Sequence, residues 1–142
     1  MEAEPIDLVR LTDGGGTVAV RVTGREFGGY PEVPVLVGEF VVRTKFLTGT
    51  LKTWIFPDDL TTWEESLAAL ARGENIAWRK DKRATELHVD VDDPELAEGM
   101  IRVSVADRAG SRATARVLLE PADDWIADHR ARLARIRETW TD

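Results

Sequence analysis

Residues 35–74 read VLVGEFVVRTKFLTGTLKTWIFPDDLTTWEESLAALARGE, and their hydrophobic period changes once. Val35–Thr44 is apolar on both phases, the pattern of a central strand covered on both faces. Leu47–Phe56 is a β-branched and aromatic run that predicts the next strand. After Pro57 the apolar residues Leu60, Trp63, Leu67 and Leu70 step by three, four and three, which marks one face of a helix. Asp58 or Asp59 is placed to cap its start, Arg72 falls in its last turn and Gly73 follows as the left-handed stop. The helix is expected over about residues 58–72.

Strand signals lie on both sides of this switch. Upstream, Asp7–Leu11 and the alternation of Val18, Val20 and Val22 flank the turn Asp13-Gly14-Gly15-Gly16, which predicts a hairpin. The Gly- and Pro-rich stretch Gly24–Pro34 is read as a loop. Downstream, Ile76–Arg79 is a short strand. Leu87, Val89 and Val91, then Ile101, Val103 and Val105, then Ala113, Ala115, Val117 and Leu119 each alternate with polar or small residues. A final helix is expected over about residues 122–139, with Trp125, Ile126, His129, Leu133, Ile136 and Trp140 on one stripe. The order ββββ-α-ββββ-α, with no βαβ alternation, predicts an α+β fold. The expected form is one strongly curved antiparallel sheet of seven or eight strands packed on the central helix. The C-terminal helix would cover an edge or an open face. No repeat, low-complexity tract or long linker divides the chain, so residues 1–142 are read as a single domain.

Composition narrows the function classes. The chain has 142 residues, 43% hydrophobic and 32% charged, enough for a hydrophobic core. It contains no cysteine, which excludes disulfides, thiolate nucleophiles and Cys-based zinc sites. It contains two histidines, His88 and His129, too few for a His-rich metal centre. The formal net charge is −7, which argues against nucleic acid and favours a basic partner. No apolar run approaches the roughly 20 residues of a membrane span, and Met1-Glu2-Ala3-Glu4-Pro5 lacks the basic and apolar regions of a signal peptide. A cytoplasmic protein without a membrane partner is expected.

The residues that could carry chemistry each have a plainer reading. Asp90, Asp92, Asp93 and Glu95 crowd four carboxylates into six residues, but their spacing fails the EF-hand loop and fits a solvated turn. His129 lies on the apolar stripe of the last helix and reads as a packed core histidine. His88 reads as a surface neighbour of Asp90. Asp13–Thr17 joins strand to strand and has no lysine, so it is not a phosphate loop. The arginines Arg21, Arg102, Arg112 and Arg116 fit cross-strand pairing with carboxylates. Most of the five tryptophans are expected in the core. Phe27 and Tyr30, set among glycines and prolines, could form a recognition surface or fold back as a lid. No catalytic residue, cofactor or metal is expected. The candidate partner-binding residues are Phe27, Tyr30, Asp90, Asp92 and Asp93.

Three segments carry a resemblance. Asp7–Asp13 (DLVRLTD), Pro57–Asn75 (PDDLTTWEESLAALARGEN) and Asp124–Trp140 (DWIADHRARLARIRETW) resemble an uncharacterised actinobacterial family of unknown function, common in Streptomyces and its relatives. More distantly, the layout is similar to toxin immunity proteins of the wall-associated-protein type. That second resemblance implies a non-catalytic protein that binds and neutralises a toxin inside the producing cell. An acidic inhibitor suits a basic toxin, because opposite charge speeds association. The competing readings are an enzyme or small-ligand protein that uses the concave sheet, and a structural subunit of a complex or homodimer.

Overall fold

A computed structural model describes residues 4–28, 33–80 and 82–140. The elements follow the order β1 (Ile6–Thr12), β2 (Gly16–Gly28), β3 (Val33–Thr44), β4 (Thr48–Ile55), α1 (Pro57–Ala71), β5 (Ile76–Trp78), β6 (Glu86–Asp90), β7 (Ile101–Ala106), β8 (Thr114–Leu119) and α2 (Trp125–Trp140). The α+β class and the ββββ-α-ββββ-α order are as expected. The strands divide, however, into two four-stranded antiparallel sheets, β1-β2-β3-β4 and β5-β6-β7-β8, where one curved sheet was expected. Each sheet is a meander of sequential neighbours, and α1 interrupts the pairing between β4 and β5. The two sheets then meet through apolar side chains. Phe40 of β3 and Trp78 of β5 lie 6.4 Å apart between ring centroids. A Cβ built on Gly16 of β2 would stand 3.4 Å from the Val117 side chain of β8. Both sheets and both helices contribute to one apolar cluster that includes Leu8, Val20, Phe40, Trp63, Trp78, Val103 and Ile136. Stacking removes both apolar faces from water, which is the dominant gain available to two half-apolar sheets.

The expected loop Gly24–Pro34 is mostly strand. Gly24 pairs with Val37 and Phe27 with Pro34. A bulge between Val22 and Gly24 bends β2 here, a use of glycine that a composition reading takes for a loop. Pro34 lies beyond the last β3–β4 pair, Leu36 with Ile55, where β3 has lost its second neighbour. Gly38 is required by close approach. A Cβ at that position would stand 2.4 Å from the Arg21 carbonyl oxygen.

Helix α1 starts one residue earlier than expected, and neither Asp58 nor Asp59 is its N-cap. Phe56 holds that position and Pro57 is the first helical residue, where a missing N–H costs nothing. Asp59 instead reaches back, its Oδ2 accepting from the Phe56 N–H at 2.9 Å. The C-terminus ends as expected. Gly73 has φ +79°, its N–H donates to Leu70 O, and the Glu74 N–H donates to Ala69 O. This is the six-to-one and five-to-two pair of a Schellman stop.

Helix α2 covers β1, an edge strand. His129 is buried, and its Nε2 accepts from the Arg10 backbone N–H at 2.9 Å. Its Nδ1 lies 2.6 Å from Trp125 O. Arg132 donates to the Asp7 carbonyl at 3.3 Å. Side chains thus occupy ladder groups that a further strand would otherwise take. Arg137 of α2 pairs with Glu64 of α1 and ties the two helices.

Candidate functional site

The sheet edges are not equally protected. α2 lies along β1, and α1 packs on β5. Among the described residues, β4 pairs only with β3, so its outer edge has no strand partner. Its sequence alternates: Leu51, Thr53 and Ile55 turn toward the core, while Thr48, Thr50, Lys52 and Trp54 are exposed. Exposed large apolar residues concentrate here. Phe46 is 98% exposed, Phe56 52%, Trp54 42% and Leu47 40%. They bracket an eight-residue strand with unpaired backbone groups, the geometry on which an extended segment adds as a further strand.

The charged groups around this edge are arranged in order. Across the outer face of the first sheet, Asp7, Arg21, Glu39 and Lys52 stand in register on successive strands with alternating sign. Asp7 Oδ1 accepts from Arg21 Nε at 2.9 Å. This bond and the Asp7 charge raise the Arg21 pKa above its ordinary value. Lys52 sits 5.1 Å above the Trp54 ring. A lysine on an edge strand discourages indiscriminate pairing.

The sequence-predicted residues fall elsewhere. Phe27 is the last residue but one of β2, 56% exposed, with the Arg25 guanidinium 5.3 Å from its ring. Arg25 in turn donates to Trp140 O at 2.8 Å, so this hairpin is tied to the end of α2. Tyr30 lies outside the described residues. The acidic residues run from Asp90, the last residue of β6, into the connection that follows it. Arg102 bonds Asp90 at 3.2 Å and Asp93 at 2.8 Å, which leaves Asp92 as the exposed carboxylate of the three. The Glu95 N–H and then Arg102 hold the Asp93 carboxyl below its usual range. Asn75 fixes the same turn, its Oδ1 accepting from the N–H groups of Val91 and Asp92 at 2.7 and 2.8 Å. The turn is thus internally paired, and no hydrogen bond or ion pair links it to Phe27 among the described residues. His88 pairs with buried Glu86 at 2.9 Å, not with Asp90. Arg108 holds the other Glu86 oxygen at 3.2 Å. Among the described residues, no group of three or more acidic or histidine side chains is placed to hold a metal.

The β4 surface was not singled out from the sequence. Its signal was the even phase of residues 46–56, which carries Phe46, Trp54 and Phe56 beside threonines and a lysine. That phase becomes informative only once β4 is known to be an edge.

Residues 6–141 match the family described as a family of unknown function, DUF5959. The chain belongs to DUF5959. The match spans both sheets and both helices, so the β4 edge and the α2 cover lie within the DUF5959 region. No curated protein matches the sequence. Among the described residues, no helix is long and apolar enough to cross a membrane.

Proposed function

We propose that this DUF5959 chain is a non-catalytic protein-binding module that takes its partner as an added strand on β4. The observation that carries the reading is the placement of Phe46, Leu47, Trp54 and Phe56, all exposed, along and around an edge strand paired on one side only. Backbone pairing would supply register, and the aromatic side chains would supply the buried anchors that dominate interface energies. The net charge of −7 favours a basic partner. Its most concrete form is an immunity protein of actinobacterial type that occludes a basic toxin in the cytoplasm. The distant similarity of the ββββ-α-ββββ-α layout to toxin immunity proteins of the wall-associated-protein type supports that form.

The test compares affinity capture from the native organism by the wild-type chain and by a Phe46→Ser, Trp54→Ser, Phe56→Ser variant. A basic protein held in equal amount by the wild type and lost by the variant is the expected result. Rescue of cells from that protein by co-expression would then establish immunity. A partner retained equally by both chains, or none at all, sinks the β4 assignment.

A further inference from the structure

Arg79 follows β5 directly and is 6% exposed. Its backbone takes φ +67°, a left-handed conformation uncommon for a non-glycine residue. Its guanidinium carbon lies 5.5 Å from the Trp78 ring and 5.8 Å from the Phe40 ring. Its Nε and Nη1 are buried and have no hydrogen-bond partner. Arginine does not shed its proton in proteins, so this is a buried cation with unused donors.

A buried acceptor is left unused beside it. Asp59 is 2% exposed, and its Oδ2 serves the Phe56 N–H, but its Oδ1 has no hydrogen bond. Lys82 Nζ approaches that oxygen only to 3.9 Å. The Asp59 carboxylate is held by its Oδ2 bond to the Phe56 N–H, and its backbone carbonyl accepts from the Trp78 indole N–H at 2.9 Å. Both residues line a cavity of about 210 Å³, together with Phe56, Asp58, Lys82 and Ala84.

The lining selects by charge. A simple anion would meet Asp58 and Asp59. A simple cation would meet Arg79 and Lys82. A molecule that carries both charges satisfies all four and uses the idle donors and acceptor together. We infer that this cavity is a binding site for a small zwitterion of the amino-acid class, its carboxylate on Arg79 and Lys82 and its ammonium on Asp59. The site shares Phe56 with the β4 surface but does not depend on that reading.

Titration with glycine and L-alanine tests it, with sodium acetate and methylammonium chloride as controls at matched ionic strength. The readouts are the side-chain Nε–H signal of Arg79 by nitrogen NMR and the melting temperature. The expected result is a saturable shift of the Arg79 signal and a rise in Tm with the amino acids. The controls should give less than about a tenth of the response. Arg79→Met and Asp59→Asn should each weaken the apparent Kd at least tenfold. The asparagine keeps an oxygen for the Phe56 N–H, so α1 stays capped. Should Arg79→Met fail to fold, the wild-type NMR titration and Asp59→Asn decide. An equal response to acetate, no response to any solute, or a glycine response that survives in Arg79→Met overturns the proposal.

Discussion

His129 supports the first sheet only as a neutral ring. Its Nε2 must keep a lone pair for the Arg10 N–H while its Nδ1 faces Trp125 O, so the proton belongs on Nδ1. Burial pushes its pKa below the ordinary 6.5. The unfolded chain therefore binds a proton more readily than the folded one. The stability this histidine contributes is complete above about pH 6.5 and is lost as pH falls below that value. Urea unfolding at pH 7.5 and at successively lower pH is expected to show this decline. His129→Phe should flatten this part of the profile and cost roughly 1–3 kcal/mol at pH 7.5, because the Arg10 N–H is left buried without an acceptor. Gly38→Ala should destabilise by about 1–3 kcal/mol in the same assay, since the added methyl meets backbone that cannot move cheaply. These two residues differ in how openly the sequence declares them. His129 shows itself on a helical stripe and was read as core. Nothing around Gly38 reveals its constraint, because the Arg21 carbonyl that imposes it belongs to the neighbouring strand. Arg79 was missed for a related reason: in sequence it is one charge among RKDKR, and only packing between Phe40 and Trp78 makes it unusual.

Elements were legible where local period and punctuation agree. Leu60 to Leu70 with Gly73 defined α1 almost to its ends. Glycine misled at 24–34, where it serves a bulge, and the N-cap of α1 passed to Phe56 because Pro57 presets the first turn. The turn after β1 shows how an element is tied to a distant one. The Asp13 carboxylate accepts from the N–H groups of Gly15 and Gly16 at 2.7 and 3.0 Å, and from Glu120, just past β8, at 2.8 Å. The Glu120 bond leads in lowering its pKa below 3.8. The stabilisation is therefore present above that pH and is lost as pH falls below it. Asp13→Ala is expected to lower Tm at pH 7, and the difference from wild type should shrink in acid. The β4 strand makes the opposite expectation. Phe46 is 98% exposed, Phe56 52% and Trp54 42%, so the triple serine variant should stay folded and lose at most about 1 kcal/mol per site. Loss of the partner would then report on binding and not on folding.

At the scale of the whole molecule, a charge of −7 predicts how a basic partner would arrive. The association rate should fall steeply as ionic strength rises, while the dissociation rate changes little. Stopped-flow measurement with the captured partner at low and at physiological salt checks this, and a flat rate would remove charge from the account of recognition. Class and element order were readable at this scale because the αβ pattern is local. The division into two sheets was not, since it depends on whether β4 and β5 pair across a fifteen-residue helix, and no local signal records that. For the same reason the bare β4 edge became visible only with the topology. The bond from Arg10 to His129 spans 119 residues. β1 therefore leaves the ribosome well before the helix that shields it. At ordinary synthesis speeds the nascent chain would carry an unshielded strand for on the order of ten seconds. Premature termination before Trp125 would release chains that keep that strand permanently open and prone to pair with one another.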